Sequence, residues 1–254
     1  GLLWMFQPID PRRPRATTRP VGLRHWFKDS SLLIARPGPD TRRRLSATVL
    51  GGHNGVNHNH NDLGTFTVTL DGRALIVDPG METYSFRTFS AQRYDSQLLN
   101  SYGHPVPRVA GQLQEAGAEW QTSVIETEFT DEVDRVVFNL RRAYDVPTLR
   151  ALEREFIFDR RGSGRVTVID RVEFTTPEHF ESALISFGSC DINGPQLTFT
   201  DGPARLATQV EIEGADLAID TDKINQPPHP IRIALACRQR VTAATIRVTF
   251  RPLA

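Results

Sequence analysis

Short runs of β-branched and aromatic residues recur along the chain after residue 22, separated by turn sequences such as DGR, DPG, RRGSG and NGP. The pattern is clearest where Phe66, Val68 and Leu70 alternate with threonines, which places the apolar side chains on one face of a strand. No later segment keeps a 3.6-residue period, and the tract 86–99 is the best candidate for a short helix or an ordered loop. The pattern predicts an all-β fold, an antiparallel β-sandwich of two or more stacked sheets.

The first 22 residues follow a different pattern. The apolar run GLLWMF precedes a stretch rich in proline and arginine without periodicity, and proline at that density disfavours both helix and sheet. We therefore divide the chain into 1–22, the end of a helix with a linker, and 23–254, a β-domain. Because the chain opens on Gly1, inside what resembles a longer element, we expect it to be part of a longer protein.

Charge and composition narrow the classes of partner. Lysine and arginine together number 30, and aspartate and glutamate also number 30, so the chain has no basic surplus for binding nucleic acid. No apolar run reaches the length of a membrane-spanning helix. Cys190 and Cys237 lie in strand-like runs without a CxxC spacing, which favours two free thiols. We expect a globular protein with neither nucleic acid nor a membrane span.

Histidine and asparagine are concentrated in the segment 51–62, GGHNGVNHNHND, between two predicted strands. A turn needs only asparagine and glycine, so three histidines here indicate a further requirement. His58 and His60 form a His-x-His pair, and imidazole with a carboxylate is a common donor set for zinc and other transition metals. Asp78, which ends the predicted strand RALIVD, and His104, in SYGHPV, are candidates to complete such a site. Taken singly, the aspartate also fits a turn and the histidine a surface position.

Three motifs resemble the heparinase II/III-like family, the C-terminal β-domain of polysaccharide lyases built from an α/α toroid and a β-sandwich. They are NHNHNDLGTF at 57–66, LIVDPG at 75–80 and NSYGHPVP at 100–107, and the match is dense over 22–114. In this resemblance GLLWMF is similar to the remnant of the last toroid helix, and the proline-rich stretch to the exit from the toroid. Beyond residue 120 the resemblance rests only on the β-rich pattern.

The resemblance implies a zinc ion that organises a cleft, with His60, Asp78 and His104 as its ligands. It implies that His58 faces the substrate and contributes to catalysis. Three further side chains are implied to bind the substrate: Asn57, Tyr84 and Arg93. Guanidinium binds carboxylates through paired N–H donors, which suits a uronate clamp, although a surface salt bridge explains an arginine at this position equally well.

The activity implied is β-elimination of a uronic-acid-containing glycan, such as heparan sulfate, alginate or hyaluronan, by a periplasmic or secreted lyase. The reaction removes the weakly acidic C5 proton, neutralises the adjacent carboxylate and protonates the leaving glycosidic oxygen. The resemblance implies that the main tyrosine and an asparagine–histidine or histidine partner come from the toroid. We therefore expect an incomplete active site in this chain, with an upstream toroid domain as its partner.

Two alternatives remain open at the level of sequence. One is a glycan-binding module that keeps the fold and the metal but does not catalyse. The other is a cupin-like metalloenzyme, because Gly52, five residues and then His-x-His give the cupin spacing, although no glutamate follows His60 at the expected distance. The cupin-like alternative requires both His58 and His60 to bind the metal, whereas the lyase requires only His60.

Overall fold

The computed structural model describes residues 22–38, 44–80 and 82–253, and the described chain is dominated by β-strands. Every strand pairing in these ranges is antiparallel, so the predicted all-β fold class is confirmed. Except for Gly22, the predicted helix end and linker at 1–22 lie outside the described residues. No helix in these ranges is long and apolar enough to cross a membrane.

The first sheet has five strands, in the spatial order β1 (Arg24–Phe27), β2 (Leu32–Ala35), β3 (Leu45–Leu50), β5 (Phe66–Leu70) and β6 (Arg73–Ile76). Burial along β5 alternates as the sequence predicts, with Phe66, Val68 and Leu70 buried and the threonines half-buried. The β5–β6 hairpin turns at Asp71 and Gly72, both at positive φ, which matches the twist of the flanking strands.

The largest sheet has eight strands, in the spatial order β14 (Ser189–Asn193), β15 (Gln196–Asp201), β16 (Ala204–Glu213), β19 (Val241–Pro252), β12 (Arg165–Glu178), β11 (Leu149–Asp159), β10 (Val133–Asn139) and β9 (Ser123–Phe129). It faces the five-stranded sheet, since the rings of Phe66 on β5 and Phe250 on β19 lie 6.0 Å apart. The two faces therefore form the stacked core that a β-sandwich requires.

A third sheet has four strands, in the order β17 (Leu217–Lys223), β18 (Ile231–Cys237), β13 (Phe180–Ser186) and β7 (Arg108–Val109). A two-stranded ribbon pairs β4 (His53–Asn54) with β8 (Gly117–Gln121). Leu33, Phe156 and Leu184, from the three larger sheets, belong to one buried cluster, so these sheets share a core. Cys190 and Cys237 are free thiols in different sheets.

The structure refines the predicted elements, and it adds strands that the sequence pattern did not predict, among them β15 and β17. The tract 86–99 is a loop with two short 3₁₀ turns, Arg87–Phe89 and Arg93–Asp95. The strands at 117–129 have no counterpart in the sequence prediction, because β9 is exposed at every position except Phe129 and an exposed strand does not need alternating apolar residues.

Gly55 allows the chain to cross β8 closely and offers a test of the ribbon. A Cβ at Gly55 would lie 2.6 Å from the backbone nitrogen of Ala118, so the strand backbone would have to move. We expect Gly55→Ala to reduce the free energy of unfolding by about 1–3 kcal/mol. Gly22→Ala is the control, because its Cβ would meet only the carbonyl of Arg24, at 3.7 Å. Urea denaturation measures both variants, and equal stability would contradict the close crossing.

Candidate functional site

The loop before β5 directs the two imidazoles of the His-x-His pair to different places. His58 has a φ of 59°, in the left-handed region that few non-glycine residues adopt. The chain therefore bends at His58, whose side chain is exposed, whereas His60 is half-buried within another group of side chains. The bend therefore turns the imidazole of His58 toward solvent and that of His60 toward the interior.

Four potential metal ligands converge at one end of the β5–β6 hairpin. One ligand atom from each of His60, Asp62, Asp78 and His104 lies within 4.8 Å of the others. Antiparallel pairing explains three of them, because residues just before β5 and just after β6 lie at the same end of the hairpin. The fourth, His104, follows a 3₁₀ turn over 101–103 and is fully buried.

Hydrogen bonds fix the orientation of His104. Its Nε2 lies 3.1 Å from the carbonyl oxygen of Leu98, which only accepts, so this nitrogen carries a proton. Its Nδ1 lies 2.9 Å from Oδ2 of Asp78, another acceptor. The same Oδ2 accepts a hydrogen bond from Thr65 Oγ1 at 2.8 Å, and Oδ1 accepts one from the backbone N–H of Gly80 at 3.2 Å. Donation from Nε2 to a carbonyl is the contact that orients a metal-ligating histidine, and it leaves Nδ1 as the nitrogen that would bind a metal once its proton is lost.

Burial and neighbouring charges shift the pKa values of His60, His104 and Asp62 in different directions. Burial, with His104 nearby, lowers the pKa of His60 to about 4, so this imidazole is neutral and its lone pair is available to a metal. Burial opposes charging of His104, but the charge and hydrogen bond of Asp78 outweigh it and raise the pKa of His104 to about 9. Burial raises the pKa of Asp62 to about 7. Two carboxylates held this closely repel unless protons or a cation lie among them.

The donor set fits a divalent transition metal. Two imidazoles and two carboxylates supply nitrogen and oxygen donors of the kinds that zinc accepts in four-coordinate sites. The structure thus brings together the three predicted ligands, His60, Asp78 and His104, and adds Asp62. Asp62 was not predicted as a ligand, because only a glutamate was expected after His60 and because spacing alone does not give side-chain direction in an irregular loop.

The buried amide of Gln114 holds the loop that carries Asp62. Its Oε1 accepts the backbone N–H of Leu63 at 2.9 Å, and its Nε2 donates to the carbonyl of the same residue at 2.8 Å. The backbone carbonyl of Gln114 accepts from the side chain of Asn61 at 3.1 Å. These contacts fix both neighbours of Asp62, a role that sequence reasoning did not assign to Gln114.

His58 belongs to an exposed aromatic group beside the four potential metal ligands. Its Nδ1 lies 3.2 Å from the hydroxyl of Tyr84, and the two rings stack with centroids 5.9 Å apart. Phe89 meets the Tyr84 ring edge-on at 5.1 Å. An open depression of about 400 Å³ lies beside the group, lined by Val56, Asn57, His58, Asn59, Thr88, Phe89, Ser90, Arg93 and Tyr94. The predicted substrate-facing residues thus lie in one region.

Arg93 connects the two loops that line this depression. Its Nε and Nη2 donate to the carbonyl of Asn59 at 3.1 and 2.7 Å, and its Nη1 donates to the carbonyl of Thr88 at 2.7 Å. All three nitrogens of the guanidinium therefore donate to backbone carbonyls, while the positive charge of Arg93 remains beside the depression.

The loop that carries Tyr84 is anchored by Glu82. This carboxylate accepts from Thr88 Oγ1 at 2.8 Å and from Ser96 Oγ at 2.6 Å, and it forms an ion pair with Arg87. The segment that carries the aromatic side chains of the cleft is therefore held in place by a buried carboxylate that is bonded to three other side chains.

Comparison with known proteins identifies the fold. No family model and no curated protein sequence matches the chain. Among solved structures, a heparinase III gene product superposes with a TM-score of 0.73 at 14% identity over 91% of the chain, and the heparan sulfate lyase HepC of Pedobacter heparinus with 0.72 at 15% over 92%. The chain spans 36% and 37% of these structures' lengths. The likeness extends well past residue 120, and at these identities it shows the fold alone.

Metal content provides a direct test of the cluster. We expect one zinc ion per chain by plasma mass spectrometry, retained in His58→Ala and lost in His60→Ala, because only His60 lies within the ligand group. Asp62→Ala is expected to weaken zinc binding by removing a charged ligand. Loss of zinc in both histidine variants would favour the cupin-like arrangement, and a wild-type chain without zinc would contradict the metal centre.

Proposed function

We propose that the chain is the zinc-binding β-domain of a polysaccharide lyase that cleaves uronic-acid-containing glycans by β-elimination. The supporting observation is the exposed His58–Tyr84 pair beside four potential metal ligands, of which His104 is buried and the other three are half-buried. The fold shared with heparinase III and a heparan sulfate lyase agrees with this combination, since both names denote glycan-cleaving proteins.

The proposed metal has an organising role. When bound by His60, Asp62, Asp78 and His104, zinc supplies a cross-link between separate loops and neutralises two carboxylates. Four protein ligands would leave no position open on the metal, which is typical of structural rather than hydrolytic zinc sites. The reacting groups are therefore expected outside the cluster, in the cleft that begins at His58.

The contact with Tyr84 prepares His58 for proton transfer at Nε2. If Nδ1 accepts the tyrosine O–H, Nε2 carries a proton for the leaving glycosidic oxygen; if Nδ1 donates, Nε2 has a lone pair that can accept the C5 proton. β-Elimination needs both roles, and the hydrogen bond couples the tautomer of His58 to the orientation of the tyrosine hydroxyl. Stacking on Tyr84 keeps the imidazole in place without burying it.

The cleft also has features suited to an acidic sugar. The charge of Arg93 beside the depression favours a uronate carboxylate, while its donors hold Asn59 and Thr88 in place. Asn57 lines the same depression and is proposed to contact the substrate through its amide. Exposed Tyr84 and Phe89 present apolar faces on which sugar rings stack.

The remainder of the active site is proposed to come from outside this chain. The chain spans just over a third of the matched structures. The missing base, the missing acid and the groups that bind the uronate carboxylate are proposed to lie in an upstream α/α-toroid domain. Because the polymeric substrate is too large to enter a cell intact, we place the protein in the periplasm or outside the cell. The arrangement disfavours the cupin-like alternative, since His58 contacts Tyr84 instead of joining the ligand group.

The decisive experiment measures formation of the unsaturated uronate by its ultraviolet absorbance. The full-length parent protein is incubated with heparan sulfate, alginate and hyaluronan, and one of them is expected to give product. His58→Ala is expected to lower the rate by about 10²-fold or more while zinc content is retained, because it removes a proton-transfer group. Tyr84→Phe serves as the matched variant, since it keeps the stacking and loses only the hydroxyl.

The possible results separate the candidates. Glycan binding without product would favour the non-catalytic binding module. Neither binding nor product with any uronate polymer would contradict the proposed function. A His58→Ala protein as active as the wild type would remove this residue from the reaction.

A further inference from the structure

Arg154, on β11, is fully buried and uses all of its hydrogen-bond donors. Its Nε and Nη2 donate to the two carboxylate oxygens of Asp170, each at 2.7 Å, and Nη2 also donates to Ser182 Oγ at 3.3 Å. Its Nη1 donates to two backbone carbonyls, those of Gly64 at 2.8 Å and Pro105 at 2.6 Å. A guanidinium has five N–H donors, and here each has an acceptor.

The two carbonyls belong to the two segments that carry most of the ligand group. Gly64 follows Asp62 by two residues, and Pro105 directly follows His104. A single nitrogen of Arg154 therefore bridges the ligand loop before β5 and the segment after the 3₁₀ turn. No other contact described above joins these two backbones through one charged atom.

The bridge is rigid because its other side is fixed. Asp170 binds the guanidinium through both oxygens, and Ser182 Oγ donates to Oδ2 of Asp170 at 2.7 Å. The plane of the guanidinium is therefore fixed by side chains of β12 and β13. Gly64 has a φ of +87°, and a Cβ there would lie 3.0 Å from Leu140 and 3.6 Å from Cδ of Arg154. The backbone thus approaches the arginine at a position that suits glycine.

We propose that Arg154 is a positioning residue of the metal centre, which sets the separation of the Asp62 and His104 segments through its bonds to Gly64 and Pro105. The inference rests on the proposed zinc site and assigns the geometry of that site to a residue outside the ligand group. Lysine could not replace it, because an ammonium lacks the planar fork that binds a carboxylate and two carbonyls at once.

The chain contains a matched control. Arg160 is also buried and paired with a buried carboxylate, Asp134, and it donates to two backbone carbonyls, those of Arg36 at 2.7 Å and Leu23 at 2.8 Å. These carbonyls flank β1 and β2 and carry no proposed ligand. A change at this pair removes the same kind of interaction, together with the contact of Asp134 with Arg24, without touching either ligand segment.

The test replaces each ion pair by apolar residues, because removing one partner alone leaves a buried charge that can prevent folding. Arg154→Met with Asp170→Leu is compared with Arg160→Met with Asp134→Leu in the full chain. Zinc affinity is measured by competition with a chromophoric chelator, and thermal unfolding of the metal-free proteins is recorded in parallel. We expect about 10–100-fold weaker zinc binding in the first double variant and wild-type affinity in the control.

Equal zinc affinity in the wild type and the Arg154 double variant would overturn the proposal, as would an equal loss in both double variants, which would indicate general destabilisation. Amide hydrogen exchange of the metal-free proteins gives an independent readout. Faster exchange over 59–65 and 98–106 in the Arg154 variant alone is expected. If the wild type binds no zinc, the metal centre of the proposed function fails, and the exchange result alone decides whether Arg154 holds the two segments: unchanged exchange overturns that role too.

Discussion

The architecture depends on burying one guanidinium among three sheets. Arg154 lies on the eight-stranded sheet, its ion-pair partner Asp170 lies beside it, and its remaining donors reach Ser182 on the four-stranded sheet and Gly64 at the entrance of β5. A buried charge costs several kcal/mol in lost hydration unless partners compensate it. The guanidinium of Arg154 is fully hydrogen-bonded only when all three sheets are packed in this arrangement. Any other arrangement would leave a buried charge without partners and would be less stable.

The same sheets place two kinds of imidazole a few residues apart. A left-handed backbone at His58 exposes one ring to the cleft, and the return of the chain into β5 leaves the other half-buried. Strained backbone of this kind is kept where the surroundings over-determine it; here Arg93 and Gln114 hold the loop after His58, at Asn59 and at Leu63. The exposed ring can contact a ligand, whereas burial and the nearby His104 lower the pKa of the half-buried ring, which therefore remains neutral.

The sequence alone predicted much of the fold and part of the site, for identifiable reasons. Alternation in β5 revealed a half-buried strand, because each side chain there has a definite face. The exposed strand β9 gave no such signal. The resemblance singled out His60, Asp78 and His104, which the structure brings close together. Asp62 was missed because only a glutamate was expected after His60, and Arg154 because its importance arises from contacts between segments distant in sequence, on which local pattern carries no information.

The exposure of β9 has a consequence for the behaviour of the chain in solution. This strand forms one edge of the eight-stranded sheet and has a strand neighbour on one side only within the described residues. A free edge offers unpaired backbone groups on which another polypeptide can assemble. Glu126 and Glu128 lie along it, the first paired with Arg135 at 2.8 Å. Their negative charge makes self-association of like edges repulsive, so colloidal stability of this domain depends on acids that contribute nothing to its core.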